Sequence, residues 1–514
     1  MGKTSRNEIS VRDRTNFWKP VGAETWENDG RKGFETYFQH VTKFRRAVSG
    51  LVAETDERPL IRMCDVSHPH TPEAIKSLLE STLREHLDGG SRLAGLMEGL
   101  KIKEHQPQRA KEAIAMILNE RIERPVSPDE VLILYGSSMQ WLDIVFRQAI
   151  IKSLHEDFCR NAHDSGYAKQ PVVIVPAGAF KCGGYFPHAN GGRLHYIETR
   201  LSNNYKLTPD LLEKEIQEIE RDHLKKVVCF ILETPTALGQ NFTQEELSRI
   251  ADVLVEYPRI LWVQDGYNLG TEHSGILNPS LADCPEIAMQ GCTISSFRRD
   301  WGGAASYANI SAFHTFNPML LHEISKQCSE TYFYTHLPFS DLQSIATNVV
   351  AENMVSSDFP RESQRYFKQQ LTEYVRCVRD TNQRINESLG TQDIEYIYTI
   401  WPEAGQFGFL FFHKGTTDKS GTTSSTKLAE LMCLYEGCRV MPTLLDPMGI
   451  GKDPVGIRLN VAMSGDTEEN REIIHDALNR IGNTVIQMER GQISYSQFAP
   501  IAEKLREGKS VDHL

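Results

Sequence analysis

The feature that most limits how this chain can fold is an alternation that begins near residue 110. Short runs of β-branched and apolar residues stop at polar or glycine residues, and helical patterns follow them. Val131–Tyr135 (VLILY) runs into Gly136-Ser137-Ser138 and then into Trp141, Leu142, Val145 and Phe146. Pro171–Val175 (PVVIV) leads to a glycine-rich turn, and Val227–Leu232 (VVCFIL) leads to Glu233–Gly239. Thr243-x-x-Glu246 has the form of a capping box and opens a helix with Leu247, Ile250, Ala251 and Leu254 on one face. Ile260–Val263 ends at Asp265, and Cys292–Ile294 ends at Ser296–Arg299. Strands separated by helices imply βαβ units and a mainly parallel sheet. Ligands of such sheets bind beyond the carboxyl ends of the strands. Every polar cluster just named follows a strand, so pattern alone predicts one shared crevice.

Beyond residue 360 the character changes. A long helical pattern precedes strand-like runs at Tyr396–Trp401 and Phe407–Phe412, a helix near 425–437, and a strand containing Arg458–Ala462. The expected organisation is an α/β chain. It has an N-terminal arm (1–60), a contribution to a small domain (61–105), a large domain (106–360), a smaller α+β C-terminal domain (361–495) and a tail (496–514). Gly415–Thr426 reads as a Ser/Thr/Gly-rich loop.

Composition narrows the function classes. The net charge of -12 comes without a basic stripe, which argues against a nucleic-acid partner. Ten scattered cysteines without a CxxC pair read as reduced thiols rather than a disulfide framework. No run approaches ~18 apolar residues and the N-terminus has no apolar signal core, so the expectation is a cytoplasmic protein without a membrane partner. His68-Pro-His70 lacks a third ligand placed by spacing, and no metal site is expected.

Taken in order, these segments resemble a known family. "LILYGSSMQWLDI", "ETPTALGQNFTQEELSRIADVL", "ILWVQDGYN", "ISSFRRDWG", "PEAGQFGFLFF", "GCRVMP" and "GIRLNVA" follow the order of class I/II aminotransferases, of the fold type I pyridoxal-phosphate superfamily. The resemblance spans roughly residues 60 to 490. It implies phosphate- or anion-binding roles for Ser137, Ser138 and Ser296, with the serines opening a helix whose N-terminus favours anions. It also implies that Asp265 pairs with the ring nitrogen of the cofactor and that Tyr267 donates to the ring's 3-oxygen. Phe180 matches an aromatic lid. Arg458 matches the arginine whose guanidinium forks onto the substrate carboxylate.

Three positions depart from the pattern. The family's aldimine-forming lysine falls on Arg299, whose guanidinium stays protonated and forms no Schiff base. The phosphate-clamping arginine falls on Tyr307, and the asparagine at the 3-oxygen falls on Thr236. The leading expectation is therefore an enzyme acting on an amino-acid-like or acyl carboxylate without cofactor. In that reading Arg298, Arg299 and Tyr307 join Asp265 and Tyr267 in the chemistry, while Arg458, Phe180 and Thr236 hold the substrate. Pyridoxal or pyridoxamine 5′-phosphate held noncovalently is one alternative, and a silent binding or regulatory subunit is another. The resemblance also implies that the large domain's sheet is doubly wound and that the chain forms a homodimer.

Overall fold

The computed structural model describes residues 43–44, 47–48, 61–63, 77, 80, 84, 108–135, 138–161, 169–176, 187, 190–199, 203–236, 238–266, 271–273, 278–296, 310–335, 359–443, 455–464 and 466–509. The first elements in chain order are β1 (Ile61–Arg62), α1 (Gln108–Asn119), β2 (Val131–Tyr135), α2 (Ser138–Asn161), β3 (Gln170–Pro176) and β4 (Arg193–Ile197). They are followed by α3 (Pro209–Arg221), β5 (Lys225–Glu233), α4 (Gln244–Val255), β6 (Leu261–Gly266), β7 (Gly291–Ser296), β8 (Ile310–His314) and α5 (Pro318–Thr335).

Seven of these strands form one sheet in the order β2-β8-β7-β6-β5-β3-β4. All run parallel except β8, which is antiparallel to both of its neighbours. The strands anticipated from the sequence are there, and β4 and β8 join them as strands the pattern did not single out. Helices cover both faces. Ile114 and Leu118 of α1, Leu212 and Ile216 of α3, and Leu247 and Ile250 of α4 share one core with Trp262 of β6. Trp141, Val145 and Phe146 of α2 and Ile324 of α5 share the core on the opposite face with Val263 and Ile294. The capping box forms as its spacing predicts: Glu246 N donates to Thr243 Oγ1 (3.1 Å) and Thr243 N to Glu246 Oε2 (2.7 Å). Leu247, Ile250, Ala251 and Leu254 are the buried residues of α4.

The C-terminal elements are α6 (Phe359–Leu389), β9 (Ile397–Thr399), β10 (Phe407–Phe412), α7 (Lys414–Ser420), α8 (Ser425–Glu436), β11 (Cys438–Arg439), β12 (Met441–Pro442), β13 (Gly456–Asn460), α9 (Thr467–Glu489) and α10 (Tyr495–Glu507). Four strands make a second sheet, β12-β13-β10-β9, while β1 pairs in parallel with β11. Phe44, Val48 and Met63 are buried in the same core as α6, α8 and α9, so early residues of the chain complete this smaller domain.

The stretch read as a Ser/Thr/Gly-rich loop is largely helical, which corrects the sequence reading. Its hydroxyls are absorbed locally: Thr417 Oγ1 donates to Lys414 O (3.0 Å) and Ser420 Oγ to Thr416 O (2.9 Å). Thr416, Thr417 and Ser420 are buried, and Gly421 closes α7 in a left-handed conformation. Among the described residues no helix is long and apolar enough to cross a membrane.

Candidate active site

Strand parity decides which side chains meet at the carboxyl edge of the large sheet. Residues two apart in a strand share a face, so Gln264 follows Trp262 and Asp265 follows Val263. Gln264 is committed to structure: its Oε1 accepts from Ser280 Oγ (3.0 Å) and Leu281 N (2.8 Å), and its Nε2 donates to Pro279 O (3.1 Å). Asp265 lies on the opposite face, the one covered by α2, and is 2% exposed. Its register partners are Glu233 on β5 and Ile294 on β7. Ser296 stands two residues beyond Ile294 and is also buried. The ladder therefore brings Glu233, Asp265 and Ser296 to one edge of one face. Ser138, buried as well, is the first residue of the helix that covers that face.

Glu233 is a neighbour of Asp265 that the sequence reading did not single out. It is 4% exposed and sits one strand, roughly 4.8 Å, from Asp265. The signal was present in VVCFILE, where a strand of apolar residues ends on an acid. Only the pairing of β5 with β6 turns that acid into a neighbour of Asp265.

A joint between the two domains forms directly after β5. Gln240 N donates to Thr236 Oγ1 (3.0 Å) and Thr236 N to Gln240 O (2.9 Å), so the hydroxyl oxygen of Thr236 caps a tight turn. Gly239, at φ +75°, presents its carbonyl to Glu403 N (2.7 Å) and Ala404 N (3.0 Å). Glu272 bridges to Ala404, and His273 N donates to Glu403 O (2.8 Å). The His273 ring lies between two backbone carbonyls, with Nδ1 3.1 Å from Pro402 O and Nε2 2.8 Å from Gly405 O. Burial pushes the His273 pKa below the usual histidine value, against the upward pull of those carbonyls. Arg121 and Glu272 form a buried ion pair (3.0 Å) behind the joint.

The joint fixes how the small domain faces the large one. In β10, Phe407, Phe409 and Phe411 cluster with Leu238 and Tyr205 of the large domain. Leu410 and Phe412 point the other way, into the core under α6 and α9. Arg458 on β13 is paired with Phe409 and therefore shares the face turned to the large domain. It is 7% exposed, and its guanidinium carbon lies 4.5 Å from the Phe407 ring centroid. That stacking orients a cation on an aromatic face. Five of the sequence candidates are thus located: Ser138, Thr236, Asp265, Ser296 and Arg458. Ser137, Phe180, Tyr267, Arg298, Arg299 and Tyr307 lie outside the described residues.

Solved structures share this architecture. The aspartate aminotransferase of Rhizobium meliloti superposes with a TM-score of 0.63 at 14% identity, covering 86% of this chain and 94% of that one. The aromatic aminotransferase of Pyrococcus horikoshii gives 0.60 at 16% identity, with 86% and 99% covered. A PLP-bound C-S lyase from Staphylococcus hominis gives 0.59 at 14%, with 83% and 91% covered. No protein-family model matches the sequence, and no curated protein sequence does. At these identities the likeness is one of fold: the chain has a fold type I aminotransferase-like architecture.

Proposed function

We propose that this chain, built on the aminotransferase fold, is an enzyme that binds a small amino-acid-like or acyl carboxylate and works on it without a covalent lysine link. The observation that carries the reading is Arg458, a buried guanidinium on the small-domain face that looks toward the large domain. Its planar fork suits a carboxylate in a way a lysine ammonium does not. At the strand edge of the large domain, Glu233 and Asp265 form an acidic pair. A cationic end and an acidic end complement the carboxylate and ammonium of an amino acid. In this reading Arg458 orients the carboxylate, while Asp265 and Glu233 hold a positive group or a shared proton at their oxygens. Arg298 and Arg299 follow Ser296 by two and three residues and are the natural cations for an intermediate that develops negative charge. Tyr267 and Tyr307 are the phenols available for proton transfer.

A second reading has its own support. Asp265 and Ser296 share one sheet face, and Ser138 opens the helix over it. That set fits pyridoxal or pyridoxamine 5′-phosphate held noncovalently. Asp265 would hold the ring nitrogen, and the two serines, one at a helix N-terminus, would hold the phosphate. Such a group supplies an electron sink when bound.

The deciding experiment is the near-ultraviolet and violet absorbance of freshly purified protein, with mass spectrometry of any ligand released on denaturation. The cofactor-free reading expects no pyridoxal-type band, and a released pyridoxal or pyridoxamine phosphate selects the second reading. Both expect no pyridoxyl-lysine after borohydride reduction and peptide mapping. Finding one overturns the proposal that lysine chemistry is absent.

A further inference from the structure

On the far side of the four-stranded sheet, away from the crevice, α6 and α9 lie side by side. Leu371 and Tyr374 of α6 and Ile474 and Leu478 of α9 pack in one core with Leu410 and Leu459 of the sheet. Where these helices meet at the surface, three side chains of different chemistry converge. Glu373 and Cys377 are one helical turn apart on α6 and so share a face. His475 reaches them from α9. Cys377 Sγ lies 3.1 Å from His475 Nε2, His475 Nε2 lies 2.7 Å from Glu373 Oε1, and Cys377 Sγ lies 3.6 Å from the same Oε1.

The shape of this triangle is informative. A hydrogen-bonded relay places its acid and its nucleophile on opposite ring nitrogens. Here one nitrogen faces both the sulfur and the carboxylate oxygen, and a single N–H is not aimed well at both. Three ligand atoms turned toward one point instead have the arrangement of a metal-binding face. Zinc takes S, N and O at roughly 2.0–2.3 Å, which sets tetrahedral edges of about 3.3–3.7 Å. The S–O edge is already in that range; the S–N edge comes in with a few tenths of an ångström of opening, and the N–O edge with about 0.6 Å. A thiolate, an imidazole and a carboxylate suit zinc better than calcium or magnesium, which prefer all-oxygen sets.

Two arginines border the triangle. Arg376 donates to Glu373 Oε2 through Nε (3.1 Å) and to Oε1 through Nη2 (2.5 Å), and Arg471 stands 3.8 Å from Oε1. Both guanidinium chains are about half exposed, so they can swing into solvent when a cation takes their place. A cleft of about 230 Å³ opens beside Glu373, lined by Gln369, Gln370, Thr372, Thr467 and Arg471.

The geometry points to a zinc site at Glu373, Cys377 and His475 that clamps α6 to α9 and leaves a fourth position open to water or to a small exchangeable ligand from the cleft. The site stands apart from the crevice and from any reading of its chemistry.

The test uses the full chain, stripped with a chelator and titrated with zinc alone. Cobalt(II) in a parallel titration reports thiolate ligation by its charge-transfer absorption. The expected result is one tight equivalent per chain, with the thiolate signature. Cys377→Ser and His475→Ala should each weaken it by more than the ~10–100-fold typical of an outer-shell partner. Arg376→Ala, which removes an exposed competitor and leaves the core alone, should tighten binding several-fold. Two results overturn the assignment. One is an equivalent that binds equally well to Cys377→Ser and His475→Ala. The other is the lack of a tight equivalent in both the natural chain and Arg376→Ala.

Discussion

Replacing Gly239 with alanine tests whether the joint after β5 holds the two domains in register. Two costs can be read from the structure. The residue sits at φ +75°, where an L side chain costs roughly 1–2 kcal/mol. The added Cβ would stand 2.5 Å from Ala404 O and 2.9 Å from Pro402 Cβ, so backbone must move. That movement strains the bonds from Glu403 N and Ala404 N to Gly239 O, worth about 0.5–1.5 kcal/mol each. The expected loss is therefore about 2–5 kcal/mol. Gly390→Ala is the control: its φ is +65°, yet a Cβ there meets nothing within 4 Å, so only the backbone cost of ~1–2 kcal/mol applies. Urea unfolding followed by tryptophan fluorescence reads both, and Trp401 reports on the joint because its carbonyl accepts from Gln240 Nε2 (2.9 Å). Limited proteolysis should cut the Gly239→Ala chain faster in the 401–405 segment. Equal losses in the two variants would refute the argument that the joint, rather than backbone conformation, sets the cost.

Further expectations can be checked directly. Arg458→Lys should weaken binding of the carboxylate ligand by about 2–5 kcal/mol, since an ammonium cannot restore the fork; calorimetry across a panel of amino acids and 2-oxo acids that finds no change would reject the clamp. Burial, with Arg124 adding to it, lowers the His314 pKa from 6.5 to about 4. The folded state then refuses a proton that the unfolded chain accepts, so stability is full above pH 6.5 and falls as pH drops toward 4, by roughly 3 kcal/mol in total. His314→Gln should flatten that slope in urea titrations, and an unchanged slope would assign it elsewhere. Sedimentation should show a homodimer, and a stable monomer at micromolar concentration would contradict that reading.

Much of the large domain could be read from local pattern, because its strands end abruptly and its helix starts are chemically marked. Thr243 and Glu246 announce α4 three residues apart, and the structure repeats the box as written. What stayed hidden depends on partners distant in sequence. β8 owes its place to pairing with β2 and β7 rather than to a distinctive run of its own. Glu233 gains meaning from β6, thirty-two residues later. The Ser/Thr-rich segment misled because its hydroxyls look solvated in sequence, whereas in the fold they close on their own helix. Glu373 and Cys377 are legible as one helical face, but His475 lies 98 residues beyond Cys377 and no spacing rule joins them. Asp265 and Arg458 stood out as candidates because their flanking segments resemble a known order, and the structure gives each a face and a neighbour.

β10 is a wall shared by two rooms. Its odd-numbered phenylalanines furnish the side toward the large domain, while Gly408, Leu410 and Phe412 furnish the side toward the helices. Adding or deleting one residue inside it would exchange the two sets. A phenylalanine would then be driven to where Gly408 leaves room for the Tyr374 ring, whose nearest atom is only 2.5 Å from a built Cβ. The aromatic support of Arg458 would rotate out of the crevice in the same step. This strand can therefore change its letters over evolutionary time but not its length, and insertions in kindred chains should collect in the connections on either side of it.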